Sequence, residues 1–411
     1  MRRTNTARKL AVLSAVATLF APAQAMATSK TAPAPIAKSV YQFKGGTIDG
    51  ATPNAGLVAD SNHNLFGTTQ TGGKYGKGIV FELPALLPSA KGVARKEIII
   101  HNFSGGADGQ APVNGLISNS NNGFFGATTA GGNNQTGTVF EIVGGKYTKI
   151  GDNLKGATPI NGLAANAAGQ ITYTTNGTLG VKGSKSQIGV LSKVGSKWTV
   201  PTVIYDLTPT NPINLFSVVP YKNGFLAASG NDLAFDNGDL FTVQAPTKEK
   251  TNWTVSEVAR FAIPLGERDN PIVMSDGSIR GIYGPANGQT VYKATPAAKR
   301  WVVSSLCAAP GYEFVGGSGV DGQGSIYVTS LVSSSSTSIG LYKIIEPNTS
   351  VGQVCSQYKL LVSNLGPSAQ VSLIDGSSIY VTNQSGKGTI SVVPDVASST
   401  VPKAAISPPA P

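Results

Sequence analysis

One sentence is written twice in this chain. GLVADSNHNLFGTTQTGGKYGKGIVFEL runs from Gly56 to Leu83, and GLISNSNNGFFGATTAGGNNQTGTVFEI runs from Gly115 to Ile142. Both copies open on Gly-Leu, carry Phe-Gly at the centre, continue through a Thr pair and a Gly pair, and close on Val-Phe-Glu. Such self-similarity marks a unit that cannot bury its own faces and stacks on neighbours that complete the burial. Fainter copies begin at Asn161, Phe216, Pro271, Val315 and Ala369, which makes seven units. Each resolves into short alternating or β-branched runs separated by Gly, Asn and Asp, the grammar of an antiparallel meander. In the first unit, strands are expected over 56–59, 65–69, 79–83 and 97–103. Four strands at a spacing of roughly 45 to 60 residues are the dimensions of a propeller blade.

The seventh unit stops one strand short. After Ile390-Ser-Val-Val the chain turns to PDVASSTVPKAAISPPAP, while Ser39-Val-Tyr-Gln-Phe43 reads like Ile98-Ile-Ile-His-Asn-Phe103 with no three strands before it. The expected fold is therefore all-β, a seven-bladed β-propeller over 38–394 whose last blade is closed by the N-terminal strand, an arrangement that removes exposed sheet edges. Charged residues at 13%, with 50 glycines and 25 prolines, suit short strands and tight turns. Trp198, Trp253 and Trp301 stand in KWTV, NWTV and RWVV at the expected start of a fourth strand, where each is expected to pack between blades.

The first residues read differently. A basic start, an apolar stretch LAVLSAVATLFA and Ala23-Gln24-Ala25 form a signal peptide over 1–25, so the protein is expected to be exported, secreted or periplasmic. Residues 26–37 are expected to be a flexible lead-in and 395–411 a Pro/Ala/Ser-rich tail. The apolar stretch is shorter than a membrane span of about 20 residues. Losing Arg2, Arg3, Arg8 and Lys9 takes the formal charge from +11 to +7. The lysines are scattered and no basic stripe interleaves with aromatics, so no nucleic-acid partner is expected.

From Gly45-Gly-Thr-Ile-Asp-Gly-Ala-Thr-Pro53 to Leu83, and again from Gly105-Gly-Ala-Asp-Gly-Gln-Ala-Pro112 to Ile142, the chain resembles the Gloeo/Verruco repeat family of bacterial exported proteins. The family pattern runs F-x-G-G-x-D-G-x-x-P-x-x-G-L, a turn, L-Y-G-T-T, G-G and G-T-V-F. Two units match well, the third partly and the others in strand pattern. The resemblance implies export and a repeat propeller, and it brings no reaction with it. The tail departs from the family's frequent C-terminal sorting signals.

Because strands alternate in direction, both strongly written connections, Gly45–Pro53 with its twin and Thr69–Gly78 with its twin, emerge at one end of the ring. Ligands are expected there. The candidates are Asp49 and Asp108 in the Asp-Gly turns, Lys74, Tyr75, Asn133 and Asn134 in the longer loops, and Asp232, Asp236 and Asp239 in the acidic stretch SGNDLAFDNGD. The Asp-Gly pairs also read as ordinary turns in which Asp bonds its own backbone. Asp60-Ser-Asn-His-Asn64 opens with calcium-loop spacing, yet Leu65 and Thr71 replace the required Gly and Glu, so it reads as a hairpin turn. With His63 and His101 alone, a His-rich metal site or a Ser-His-Asp triad has few residues to draw on. Cys307 and Cys355 suit a disulfide in an exported protein, but their places in units five and six read as too far apart, which favours two thiols.

The function expected is a binding or interaction module for glycan or protein, with no cofactor or metal. The alternatives are a polysaccharide-active lyase or hydrolase using carboxylates on the loop face, or a structural envelope component.

Overall fold

The structure, a computed structural model, describes residues 36–53, 56–85, 95–112, 114–119, 122–152, 160–175, 186–207, 213–231, 238–248, 250, 252–261, 271–283, 290–297, 301–308, 314–321, 325–331, 338–344, 353–354, 358–375 and 378–394. The expected leader and tail lie outside them.

Seven antiparallel sheets stand in a ring, one per unit. Blade one runs Gly50–Pro53, Leu65–Gly72, Ile79–Leu83, Ile98–Asn102, and blade two runs Asn114–Ser118, Gly123–Ala127, Val139–Val143, Lys146–Gly151. Blades three, four, five and six begin at Ile160, Ile213, Ile272 and Phe314. Blade seven takes Ala369–Asp375, Ser378–Asn383 and Thr389–Pro394 from the end of the chain and Lys38–Gln42 from its start. Lys38 pairs with Val392 and Gln42 with Thr389, so the ring closes as the sequence led us to expect.

The core is divided among the seams between blades. Among the described residues seven apolar clusters occur, each built from two adjacent blades. Phe66, Val80 and Phe103 of blade one meet Leu116, Phe124, Phe140 and Ile142 of blade two. Phe43, Tyr380 and Ile390 of blade seven meet Leu57, Leu65, Ile79 and Phe81 of blade one. Fully burying one such side chain contributes about 1.5–3 kcal/mol. A blade alone would leave both faces wet.

This packing explains the repeated wording. A Cβ on Gly67 would lie 2.6 Å from the ring of Phe81, and one on Gly126 would lie 2.3 Å from that of Phe140. The Gly of Phe-Gly therefore makes room for the Phe of Val-Phe-Glu on the next strand. The Gly of Gly-Leu has a different neighbour: a Cβ on Gly115 would sit 2.6 Å from the carbonyl oxygen of Gly56, because the first strands of blades one and two nearly touch.

The tryptophans pack at seams as expected. Trp198 stands edge-on to Phe125 at 5.5 Å and Trp301 lies 5.7 Å from Tyr221, each across a seam, while Trp253 stacks on Phe225 of its own blade at 6.0 Å and packs against the cluster between blades three and four. Trp301 opens its fourth strand and Trp253 immediately precedes one, but Trp198 belongs to a small hairpin, Lys193–Val194 with Lys197–Trp198, ahead of Thr202–Leu207.

Three other readings change. The first strand of unit one is longer than expected, since Gly50–Pro53 and Val58–Ala59 both pair with Leu65–Gly72. Asp239 belongs to the strand Gly238–Gln244 and is 6% exposed, so it is no part of a solvated loop. Blade five carries a fifth strand, Gln353–Val354, parallel to Trp301–Ala308, and Cys307 pairs with Gln353. The Cys307 side chain and Cys355 lie outside the described residues.

Candidate functional site

The end of the ring where the fourth strand of one blade hands over to the first of the next is stitched to the preceding blade by backbone bonds. The amides of Phe43 and Thr52 donate to the carbonyls of Gly388 and Lys387, and those of Phe103 and Ala111 donate to Gly78 and Lys77. The same two bonds recur one blade apart. Thr52 and Ala111 both take left-handed backbone to make them, at φ 59° and 51°.

Within this face the long loop of blade one turns on Gly72, Gly73, Gly76 and Gly78, all at positive φ. Asn102 caps it by accepting from the Lys74 amide at 2.7 Å. Asp152 holds the same place in blade two and accepts from the Asn133 amide at 3.2 Å. Lys74, Tyr75, Asn133 and Asn134 are all exposed, and the Lys74 ammonium stands 5.2 Å from the Tyr75 ring. Beside this loop is a cleft of about 350 Å³ lined by Gln70, Thr71, Gly76, Lys77, Gln110 and Ala111. Its walls belong to two blades, and the Ala111-to-Lys77 bond fixes their separation.

The two Asp-Gly turns lead to the outer strands. Asp108 accepts from the Ser104 amide at 2.9 Å, from the Ser104 hydroxyl, and from His101 Nε2 at 3.0 Å. The His101 ring lies on Tyr147 at 3.8 Å and 7°, and Tyr147 donates its hydroxyl to the Asp108 carbonyl at 3.0 Å. Burial alone would raise the Asp108 carboxyl, but the bonds from Ser104 and His101 outweigh it and hold it below the usual range. Burial pulls the His101 imidazole down more than the carboxylate beside it pulls it up. Ser104 bonds to Asp108 and leaves His101 to the same carboxylate, so the three do not form a Ser-to-His relay.

Asp49 repeats the turn with other partners. It is 3% exposed and accepts at Oδ2 from the Lys44 amide at 2.6 Å and the Tyr41 hydroxyl at 3.1 Å. Its Oδ1 and Oε1 of Glu97 are sealed from solvent, and neither receives another donor among the described residues. Both residues line one cleft, and sealed carboxyl oxygens without donors are satisfied there only by sharing one proton. Burial first, then the bond and the charge of Asp49, pushes Glu97 up to about 9. A cleft of about 290 Å³ opens there, lined by Tyr41, Lys44, Ile48, Asp49, Arg95, Lys96 and Glu97.

The structure thus brings Lys74 and Tyr75 to one cleft and Asp49 to another, with Asp108 in its own cluster. Asp232 and Asp236 lie outside the described residues. The sequence reading did not single out Tyr41, Glu97, Tyr147, Gln70, Thr71, Lys77 or Gln110. Aligning the fourth strands would have found three of them: Ile98 pairs with Glu82 and Thr148 with Glu141, so Glu97 and Tyr147 hold one position, and Tyr41 matches His101.

No family model matches the sequence, and no curated protein sequence matches it. Among solved structures, the chain is similar to a polysaccharide lyase, a PL25 ulvan lyase bound to -[GlcA(1-4)Rha3S]-, with 8% identity over 87% of this chain and 96% of that one and a TM-score of 0.51. It is also similar to a puromycin-hydrolysing peptidase of Mycobacterium tuberculosis, with 11% identity over 91% of this chain and 58% of that one at 0.49. The lyase comparison supports the propeller architecture. At that identity it carries the fold alone.

Proposed function

We propose that this protein is an exported binding module of the Gloeo/Verruco type that takes a glycan on its loop face. The observation that carries the reading is the cleft between blades one and two. Gln70 and Gln110 offer amides, Thr71 a hydroxyl and Lys77 an ammonium, the donors and acceptors that sugar hydroxyls pair with. Tyr75, half-exposed one residue from the lining, supplies a ring face for a sugar to lie on. The backbone bonds between the blades present this surface ready-made, which limits the ordering entropy of binding. The ammonium favours a glycan carrying carboxylate or sulfate groups.

Support for binding over catalysis comes from where the carboxylates stand. An enzyme of polysaccharides needs acid and base groups converging on the bound chain. Asp49 and Asp108 are instead held by outer-strand partners, Tyr41 and His101. The test is an array of neutral and acidic polysaccharides probed with purified protein, with mass spectrometry of each glycan that binds. Saturable binding without new chain ends is expected. Cleavage products would overturn the reading in favour of a lyase or hydrolase, and silence across the array would turn the search to protein partners.

A further inference from the structure

We propose that Asp49 and Glu97 form a one-proton latch on the seam where the N-terminal strand closes the ring, tight while the proton is present and loosened when it leaves.

The geometry assigns the latch its place. Tyr41 stands on the closing strand, Lys44 and Asp49 lie in the connection that follows it, and Glu97 immediately precedes the fourth strand of blade one. Tyr41 and Lys44 bond to Oδ2 of Asp49, which leaves Oδ1 for Glu97 alone. A shared proton gives each of these buried oxygens the partner that no other group supplies. Without it, two carboxylates face one another where no lysine or arginine nitrogen among the described residues comes within 4 Å of either. The charged groups that line the same cleft are Lys44, Arg95 and Lys96. Arg95 is engaged elsewhere, donating to the Leu83 carbonyl at 3.1 Å. Like charges on the walls of one partly desolvated cleft repel.

The next seam is the internal control. There Tyr147 stands at the register position of Glu97 and bonds to the Asp108 backbone, and burial moves its hydroxyl upward from its ordinary value. There Asp108 is bonded to His101 and Ser104 rather than placed beside a buried glutamate. The two matching seams thus differ in charge: Asp108 has His101 as its partner, while Asp49 has the carboxyl of Glu97 beside it in one cleft.

The sign follows from the raised value. A carboxyl whose folded value is about 9 against an ordinary 4.5 stabilises the fold fully below 4.5, and the stabilisation is lost progressively as pH rises to about 9. The test compares the purified protein with Glu97→Gln, which keeps the neutral shape, and Glu97→Tyr, which copies the next seam. Melting temperature and amide exchange of residues 38–43 are followed from pH 5 to pH 9.5. The unaltered protein should lose several degrees relative to both variants across this range, and at its alkaline end the closing strand should exchange about tenfold or more faster than in Glu97→Gln. Parallel profiles in all three proteins would overturn the latch, as would alkaline exchange that rises evenly around the ring. Should both variants fail to fold, carbon NMR titration of Glu97 in the unaltered protein decides, since a midpoint at the ordinary carboxyl value removes the shared proton.

Discussion

Gly126 lies opposite Phe140 in the ladder of blade two, and the absent side chain is what lets that ring lie flat against the strand beside Leu116. Gly126→Ala places a methyl 2.3 Å from the ring and should destabilise the protein by about 1–3 kcal/mol, the usual effect of overpacking a filled core. Phe140→Leu in the same chain should recover part of that loss, because the smaller side chain vacates the contested volume. Chemical denaturation of the single and double variants measures both, and additivity would remove the account given for the Phe-Gly motif.

His101 should titrate below the ordinary histidine value, since burial outweighs the pull of Asp108. A base lowered in the folded state contributes stability above its unfolded value that is lost as pH falls toward the folded one. The protein should therefore weaken as it is acidified below about 6.5. The chain has two histidines, so imidazole NMR resolves the question directly. In His101→Asn the low-titrating signal should vanish. A His101 midpoint above the ordinary value would reverse the sign.

Blade six buries an ion pair. Lys343 Nζ lies 3.3 Å from Asp321 Oδ2, with side chains 7% and 3% exposed, and Tyr327 donates to the same carboxylate at 3.0 Å. Lys343→Met leaves the carboxylate buried without its cation and should be destabilising by about 3–5 kcal/mol. Adding Asp321→Asn should restore much of this. Thermal unfolding of the two single variants and the double variant closes the cycle, and a double variant as weak as the sum of its parts would show the pair to be uncoupled.

On the loop face, Gln110→Ala should weaken a bound glycan by about two- to tenfold, the worth of one neutral hydrogen bond, and Tyr75→Ala by a similar factor. Isothermal titration with any glycan found by the array measures this. Melting temperatures should hardly move, since Tyr75 is exposed and Gln110 stands at a cleft wall. Unchanged affinity in both variants would place the site elsewhere.

The repetition, the closing strand and the seam-packed tryptophans were legible because each leaves a local trace: a recurring word, a strand with no partners, an aromatic at a fixed offset. The partnership of Asp49 with Glu97 left none. The two are far apart in sequence, and the match with Asp108 and Tyr147 exchanges an acid for a phenol, so resemblance hides the change. Asp239 misled for a related reason, since the acidic stretch around it reads as loop while its own residue is claimed by the ladder between Ser229 and Arg260. The parallel strand Gln353–Val354 was beyond a meander grammar, because it joins blade five from the connection that precedes the last strand of blade six.

Because Lys38 lies across from Val392, the two extremities of the ring are one hairpin short of being continuous. A chain rewritten to begin at Ile272, run through blade seven, turn directly from Pro394 into Lys38 and finish at Phe261 would contain the same seven sheets. Its seam between blades four and five would then stand open in covalent terms, while the non-covalent join inside blade seven became an ordinary turn. Where the sequence starts is, for this architecture, a choice of where the circle is left unsewn.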